Sequence, residues 1–255
     1  MLVDSHCHIN LIDQPASQTI EEAHQSGVGH MLCVSVDMES FPEIYKIAQK
    51  NEDISISVGI HPNSSETKEP TIDQLIDSGS LPEVVGIGET GLDYFRSEGD
   101  LSWQKDRFIS HITAAKICKK PLIIHTRQAK EDTLRILKEE GADEVGGVLH
   151  CFTEDWDTAK KGIDLGFYIS FSGIITFPSA RDLQQVAAKI PANRLLIETD
   201  SPYLAPVPYR GKTNTPAYVQ YVAKHIAELR KTSLSCIEDI TTENFFSLFT
   251  HAAKH

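Results

Sequence analysis

The segment Leu-Val-Asp-Ser-His-Cys-His at residues 2–8 joins a short apolar run to two closely spaced histidines. On an extended strand alternate side chains share a face, so we expect Asp4, His6 and His8 on one face and Cys7 on the other. The two imidazoles then stand roughly 7 Å apart along the strand. Imidazole nitrogen is the commonest protein ligand of a metal ion, whereas an isolated His-x-His is more often a pair of surface or structural histidines. The rest of the chain favours the metal.

Segments similar to residues 2–8 recur along the chain. They are rich in Val, Ile, Leu and Phe and have the length of strands. The eight segments are 2–8, 31–36, 54–61, 84–89, 121–127, 147–152, 167–173 and 195–201. Near-continuous apolar strands are typical of a parallel sheet that is covered by helices.

Helical spacing occurs between these strands. The predicted helices are 19–26, 41–50, 104–119, 132–140, 158–165 and 182–189. Eight strands alternating with helices predict an α/β fold, a closed (β/α)8 TIM barrel, with a doubly wound open sheet as the alternative. The tail 216–253 adds two helical stretches, and Phe245, Phe246, Leu248 and Phe249 in the second are expected to pack over the barrel. No linker or repeat suggests a second domain, so residues 1–255 are expected to form one.

Composition limits the kinds of partner and compartment. The chain has 255 residues, 40% of them hydrophobic, and a formal net charge of −12, which argues against a broad basic surface for nucleic acid or membrane. The five cysteines are an odd set without a C-x-x-C pair, which is typical of reduced thiols. Without a signal-like leader or an apolar run of membrane-spanning length, the expected location is cytoplasmic.

Polar residues interrupt the apolar strands near their carboxyl ends, which is where barrel enzymes carry their chemistry. They are His6, His8, His61, Glu89, His125, Arg127, His150, Glu198 and Asp200. Burying such a group costs several kcal/mol unless it is paired or bound to metal. Any one of them could be a core histidine or part of a buried ion pair, but their repetition on six strands favours a metal site.

Four of these histidines and two carboxylates are too many ligands for a single tetrahedral zinc site. Two ions fit better, because a carboxylate can bridge ions that lie ~3.5 to 4 Å apart. Such a pair can generate hydroxide from water at neutral pH and stabilise the entering and leaving oxygens of a displacement. That chemistry is hydrolysis, most naturally at phosphorus.

Seven motifs resemble those of the TatD-like metal-dependent deoxyribonucleases, in order and across essentially the whole chain. They are Asp-Ser-His-Cys-His (4–8), Gly-Ile-His-Pro (59–62), Gly-Glu-Thr-Gly-Leu-Asp-Tyr (88–94), Ile-His-Thr-Arg (124–127), Gly-Gly-Val-Leu-His-Cys-Phe (146–152), Tyr-Ile-Ser-Phe-Ser-Gly (168–173) and Glu-Thr-Asp-Ser-Pro-Tyr-Leu (198–204). The resemblance implies an amidohydrolase-like barrel, a divalent metal centre at its top and 3′-to-5′ exonuclease activity on DNA.

The resemblance also implies roles for individual residues. Glu89 would bridge two divalent ions, which could be Mg²⁺, Mn²⁺ or Zn²⁺, and Asp200 would orient the attacking water and take its proton. One ligand set is His6, His8, Glu89 and Asp200, and the other is Glu89, His125 and His150. His61 is expected either to contact phosphate or to order the turn at Pro62.

An acidic protein must meet a polyanionic substrate with local cations. Arg127 is placed to hold a phosphoryl oxygen, with an ion pair to Glu198 or Asp200 as the alternative. Arg210 and Lys212, in the loop after the eighth strand, could bind phosphate or be merely solvated. The aromatic residues Tyr94, Phe95 and Trp103 could stack on bases or pack against the barrel rim.

The sequence therefore predicts a hydrolase that acts on DNA ends, with single-stranded DNA or RNA as further candidate partners. No membrane partner is expected, and the expected oligomeric state is a monomer. Two alternatives stay open: hydrolysis of a small ester, lactone or amide on the same barrel, and a metal-binding protein that acts through a partner interface.

Overall fold

Apolar strands separated by helices form a barrel in this protein. The computed structural model describes residues 1–65 and 67–252, and within them eight parallel strands pair in chain order. The strands are β1 Leu2–Cys7, β2 Val28–Cys33, β3 Ile54–Val58, β4 Val84–Asp93, β5 Leu122–Arg127, β6 Gly147–Leu149, β7 Tyr168–Phe171 and β8 Leu195–Ile197. The prediction of a TIM barrel is confirmed, and the open doubly wound sheet is excluded.

Backbone contacts between the first and last strands close the barrel. Cys7 forms a parallel bridge with Ser201, just beyond β8. The Asp200 amide donates to the His6 carbonyl oxygen at 2.9 Å, and the His8 amide donates to the Ser201 carbonyl oxygen at 2.8 Å. The closure therefore places the His-x-His segment beside Asp200.

Helices follow the strands around the outside of the barrel. They are α1 Ala16–Gln25, α2 Phe41–Ala48, α3 Ile72–Gly79, α4 Ser102–Cys118, α5 Lys130–Glu139, α6 Trp156–Asp164, α7 Arg181–Lys189, α8 Val219–Arg230 and α9 Leu234–Leu248. The two predicted tail helices are α8 and α9, and Ala253 at the end of the predicted tail lies outside the described residues. In the part of the chain that the structure describes, no helix is long and apolar enough to cross a bilayer.

Helix α9 packs against the end of the barrel opposite to the strand carboxyl ends. Phe245 and Phe249 are fully buried there, in a cluster that includes Val3, Val85 and Ile123 near the starts of their strands. The predicted packing of this helix over the barrel is confirmed. Apolar side chains dominate this end, where His30 packs on Phe245, and the predicted metal ligands lie at the other end.

Strand boundaries differ from the predicted ones where the functional residues lie. β4 extends to Asp93 because it keeps pairing with β5 as far as Arg127. β3, β6 and β8 end before His61, His150 and Asp200, which therefore stand on loops.

Helix α3 was not among the predicted helices, although a capping box marks its start. The Thr71 side chain accepts from the Gln74 amide at 3.2 Å, and the Gln74 side chain accepts from the Thr71 amide at 3.0 Å. The sequence Thr-x-x-Gln is a known signature of a helix N-terminus, so the signal was present at residues 71–74.

Gly91 allows β4 to approach β5 closely, since its φ is 138° and a Cβ atom there would lie 2.0 Å from the His125 carbonyl oxygen. We expect Gly91→Ala to lower the free energy of unfolding by more than about 2 kcal/mol, because it combines backbone strain with a clash against a neighbouring strand. Gly99 is the matched control, since its φ is 83° but nothing lies within 4 Å of the position that a Cβ atom would take. Gly99→Ala should cost roughly 1 kcal/mol. Equal losses for the two variants in urea denaturation would contradict the role of the close approach.

Candidate metal centre

The carboxylate of Glu89 lies at the centre of a buried cluster, and its two oxygens face different histidines. Oε2 is 3.3 Å from Nε2 of His6 and 3.9 Å from Nε2 of His8. Oε1 is 3.0 Å from Nδ1 of His125 and 2.8 Å from Nε2 of His150. A carboxylate with ligand atoms grouped at each of its oxygens is suited to bridge two ions.

Asp200 completes the group on the Oε2 side of Glu89. The Nε2 atoms of His6 and His8 are 3.3 Å apart, and Oδ1 of Asp200 is 3.8 Å from the first and 3.5 Å from the second. His6, His8 and Asp200 thus bring three ligand atoms within 4.8 Å of one another, close enough to hold one metal ion. The structure therefore brings together all six predicted ligands.

Three of the imidazoles have a hydrogen bond at the nitrogen that faces away from the cluster. Such a bond holds a proton on the outer nitrogen, so the inner nitrogen, which faces Glu89 or Asp200, is the one that can give up its proton and become a metal ligand. The pairs are His8 Nδ1 with the Val34 carbonyl oxygen at 2.9 Å, His125 Nε2 with Asp93 at 3.1 Å, and His150 Nδ1 with Glu198 at 3.3 Å. The protonation pattern of these three histidines therefore fits metal binding.

His6 is held differently from the other three. Its ring stacks on that of His150, with the centroids 3.9 Å apart and the planes 13° from parallel. Its Nδ1 atom is buried and has no hydrogen-bond partner among residues 1–65 and 67–252. Packing, and not an outer hydrogen bond, orients this imidazole.

Two acidic residues of this outer layer had no assigned role in the sequence analysis. Asp93 ends β4 and accepts from His125, and Glu198 follows β8 and accepts from His150. Glu198 is fully buried and also accepts from the Cys151 amide at 2.8 Å. The sequence contained a signal for Asp93, because residues 89, 91 and 93 alternate along one strand and Asp93 therefore shares a face with Glu89.

His61 lies close to the cluster but has the opposite protonation pattern. Its Nε2 is 3.3 Å from Oε1 of Glu89. Its Nδ1 accepts a hydrogen bond from the Asn63 amide at 3.0 Å, so a neutral His61 carries its proton on Nε2. The bond from Asn63 shows that His61 orders the turn at Pro62, and its Nε2 is a hydrogen-bond donor, so the predicted contact with phosphate stays a prediction.

Helix α4 anchors the loop that carries His61. Arg107 donates to the His61 carbonyl oxygen at 2.8 Å, and His111 accepts from the amide just before His61 at 3.0 Å. Burial lowers the pKa of His111 to about 4, so it stays a neutral acceptor. Gln104 accepts from the Asp93 amide at 3.0 Å and donates to its carbonyl oxygen at 3.3 Å. One helix thus positions both His61 and the partner of His125.

A buried carboxyl in β1 positions the backbone before Asp200. Asp4 accepts from the Thr199 amide at 2.9 Å and from the Thr199 hydroxyl at 2.5 Å. Burial raises the pKa of Asp4 to about 8. Asn214 holds the same residue from the other side, donating to its carbonyl oxygen at 2.8 Å. Asp200 itself has a positive φ of 57°, so these contacts stabilise a sharp turn.

The imidazoles of the cluster stabilise the ionised forms of Glu89 and Asp200. Burial opposes ionisation of Glu89, but the electrostatic attraction of the His150 and His61 imidazoles and the hydrogen bonds from His125 and His150 outweigh it and hold the pKa of Glu89 well below the usual range. Burial also opposes ionisation of Asp200. The hydrogen bond from His8 and the electrostatic attraction of the neighbouring imidazoles outweigh burial, so the pKa of Asp200 is lowered. Both carboxylates are thus anionic and able to attract cations.

The predicted substrate-binding cations lie around this mouth of the barrel. The Arg127 guanidinium lies over the Phe95 ring, 4.0 Å from its centroid. Among the described residues Arg127 makes no ion pair, so the alternative of a salt bridge to Glu198 or Asp200 is wrong. Arg210 and Lys212 are exposed and lie over aromatic rings, 4.5 Å from the Phe177 centroid and 5.7 Å from the Tyr209 centroid.

The predicted base-stacking residue Tyr94 is already engaged within the protein. Its hydroxyl donates to Asp132 at 2.6 Å, and Lys105 pairs with the same carboxylate at 2.7 Å. The Trp103 ring is covered by Arg107, 4.8 Å from its centroid. Phe95 is the exposed member of the three.

Cys151 is not the strand residue that the sequence suggested. It lies beyond β6 with a positive φ of 41°, and its Sγ is 3.1 Å from the Ser172 hydroxyl. Cys7 is buried as expected, and its thiol donates to the Leu32 carbonyl oxygen at 3.4 Å.

Sequence comparisons agree with the geometry. A family model described as TatD related DNase matches residues 3–250. A relative named as the uncharacterised metal-dependent hydrolase BU355 of Buchnera aphidicola is 44% identical over 260 residues, which cover 97% of this chain and 98% of the relative. The uncharacterised metal-dependent hydrolase YcfH of Escherichia coli K12 is 42% identical over 254 residues, which cover 97% and 95%.

A solved structure has the same fold. The crystal structure of YjjV, a TatD homologue of Escherichia coli K12, superposes with a TM-score of 0.88 at 27% sequence identity, covering 98% of each chain. The agreement extends over the whole barrel.

The outer hydrogen bond of His150 is testable with Glu198→Gln. An amide keeps the side-chain volume but makes His150 a weaker ligand, so we expect metal affinity to fall about 10- to 100-fold with the fold retained. Competition with a chelator measures the affinity, and circular dichroism checks the fold. The control is Glu83→Gln, the same change at a part-buried glutamate that precedes β4. Among the described residues, Oε2 of Glu83 has no hydrogen-bond partner, and the same is true of Oε2 of Glu198. The role of Glu198 is rejected if both variants bind metal like the wild type.

Proposed function

The chain belongs to the TatD-related DNase family and is a metal-dependent hydrolase, and on that premise we propose that it hydrolyses phosphodiester bonds at DNA ends as a 3′-to-5′ exonuclease. The observation that carries the proposal is the division of the Glu89 oxygens between two groups of ligand atoms. Paired metal sites of this kind are typical of phosphodiester hydrolysis. Membership of a family of DNases supplies the substrate class.

The donor set suits two divalent ions, because each group mixes imidazole nitrogen with carboxylate oxygen. His6, His8 and Asp200 with one oxygen of Glu89 would hold the first ion, and His125 and His150 with the other oxygen would hold the second. When bound, such ions would lower the pKa of water and neutralise charge on the phosphoryl oxygens. Among the predicted ions, Zn²⁺ suits the imidazole nitrogens best, while Mg²⁺ and Mn²⁺ favour the carboxylate oxygens.

Asp200 is the residue best placed to take the proton of the attacking water. Its side chain is 15% exposed, whereas that of Glu89 is 3% exposed, so water reaches Asp200 more readily. Water oxygen bonds to phosphorus, the bond from phosphorus to the 3′ oxygen of the preceding nucleotide breaks, and a nucleoside 5′-monophosphate leaves. The proton removed from water passes to the carboxylate of Asp200 and from there to the departing 3′ oxygen, which becomes the new 3′-hydroxyl end of the DNA.

His61 and Arg127 would hold the phosphoryl group during this step. The Nε2 proton of His61 points into the cluster and can be donated to a phosphoryl oxygen. Arg127 ends β5, two residues after His125, and its guanidinium offers several donors to the same group. Both contacts neutralise charge that the acidic protein would otherwise repel.

The bridging role is tested by Glu89→Gln, with Asp200→Asn for comparison. Loss of the bridge leaves two cations facing each other, so Glu89→Gln should reduce bound metal below two ions per chain and reduce turnover while the barrel persists. Asp200→Asn should keep the ion at His125 and His150 and slow turnover about 10²- to 10⁴-fold. Metal analysis and release of nucleotides from an end-labelled oligonucleotide provide the measurements. Wild-type turnover with two ions in Glu89→Gln would show that the bridge is wrong.

The substrate class is tested by the salt dependence of catalytic efficiency on single-stranded DNA. Each neutralised phosphate contributes about −0.7 to the slope of log affinity against log salt, so two or three contacts give about −1.4 to −2.1. Replacing Arg210 and Lys212 with Ala should flatten this slope and leave the metal content unchanged.

The matched control is the double replacement of Lys160 and Lys161 with Ala, since both lysines are exposed on α6 and removing them changes the net charge equally. It should leave the slope unchanged. A panel of neutral esters and lactones is assayed in parallel. Efficient turnover of a neutral substrate, with no nucleotide released from DNA or RNA, would replace the nuclease by a small-molecule hydrolase.

A further inference from the structure

Exposed apolar side chains are concentrated at the mouth of the barrel. Within the described ranges seven large hydrophobic residues are exposed, and four of them lie on loops that follow the carboxyl ends of strands. These four are Leu11 after β1, Phe95 after β4, and Tyr203 and Val207 after β8. The mouth that carries the candidate metal centre thus also carries more than half of these exposed apolar side chains.

Phe95 and Tyr203 lie on opposite sides of this mouth. They follow β4 and β8, which are four strands apart in a barrel of eight and therefore face each other across it. Their rings are exposed to similar extents, 54% and 55%. The Tyr203 ring centroid is 6.4 Å from that of His8, so this ring borders the ligand cluster.

Hydrogen bonds hold both aromatic residues close to the site. The Phe95 amide donates at 2.9 Å to Asp93, the same carboxylate that accepts from His125. The Tyr203 amide donates at 2.9 Å to the Asp200 carbonyl oxygen. The backbone of each aromatic residue is therefore held beside the residues that would do the chemistry.

The Arg127 guanidinium covers one face of Phe95. An aromatic ring next to a cation is the arrangement by which proteins bind single-stranded nucleic acid, because the ring stacks on a base while the cation meets the phosphate. Stacking also supplies affinity without positive charge, which matters in a chain of net charge −12. A base inside a duplex is not free to stack in this way.

We propose that Phe95 and Tyr203 contact unpaired bases at the 3′ end of single-stranded DNA, one on each side of the metal centre. This assignment rests on the proposed function, and it specifies the substrate as an unpaired end. Of the three aromatic residues predicted to stack on bases, it keeps Phe95 and leaves out Tyr94 and Trp103, which are engaged within the protein.

Fluorescence of 2-aminopurine, a base analogue that is quenched on stacking, tests the assignment. The analogue is placed at the 3′ end of a single-stranded phosphorothioate oligonucleotide about ten nucleotides long, which resists hydrolysis, and the metal-loaded enzyme is added. The variants are Phe95→Ala, Tyr203→Ala and the double replacement. Wild-type enzyme should quench the analogue, and each single variant should weaken binding about 5- to 150-fold.

Ile117→Ala is the matched control, because Ile117 is also 55% exposed but lies near the end of α4, at the opposite end of the barrel. It should bind like the wild type. A second oligonucleotide that lacks its terminal bases separates stacking from damage to the loop. On this abasic end the losses in Phe95→Ala and Tyr203→Ala should largely disappear.

The outcomes separate this assignment from the proposed function. If wild-type enzyme binds and cleaves DNA but Phe95→Ala and Tyr203→Ala match Ile117→Ala, the assignment is wrong and the nuclease stands. If the losses persist on the abasic end, the two rings support the loops and do not stack on bases. If wild-type enzyme neither binds nor cleaves any oligonucleotide, the proposed function fails and the assignment fails with it.

Discussion

Burial of the Glu89 carboxylate among imidazoles is the constraint on which the rest of the site depends. An isolated buried carboxylate is so costly that it must be paired, hydrogen-bonded or bound to metal. Here the partners come from β1, β5 and the loops after β3 and β6, which meet only because the barrel closes. The closing contacts between β1 and the segment after β8 bring Asp200 to the same place. The fold and the ligand cluster are therefore two consequences of one arrangement of strands.

A second layer of residues determines what each imidazole can do. His125 and His150 have their outer nitrogens hydrogen-bonded to carboxylates, so a metal ion that displaces the inner proton would find a lone pair at the inner nitrogen. The outer nitrogen of His61 instead accepts a hydrogen bond from the Asn63 amide. Its inner nitrogen therefore carries the proton and is a hydrogen-bond donor. Residues with the same side chain, at similar distances from Glu89, thus have different chemistry. Distance alone would group His61 with the ligands, but the hydrogen bond from Asn63 separates it from them.

The barrel and the ligands that lie within strands could be predicted from the sequence, because alternation along a strand determines which side chains share a face. His6, Glu89 and His125 belong to this group. His150 and Asp200 stand beyond the strand ends; their place among the polar strand-end residues made them candidates, and the family resemblance assigned each to an ion. Alternation placed Asp93 on the face of Glu89, but the contacts of Asp93 with His125 and of Glu198 with His150 could not be predicted, because each joins different strands. The capping box at residues 71–74 marks the start of α3, but this helix has only 8 residues, and so short a segment shows little helical spacing in the sequence.

The balance of charge explains why recognition is expected to be local. With 36 acidic and 24 basic residues the surface as a whole repels DNA. Attraction must then come from the mouth of the barrel, where the candidate metal centre, Arg127 and the cations of the loop after β8 lie together, and a small region can contact only a few phosphates. Such a site cannot hold a long duplex, but it can capture a strand end if exposed rings add contacts that do not depend on charge. Phe95 is held by Asp93, the carboxylate that also orients His125, so the residue that would position a base is coupled to the residue that would position a metal ligand.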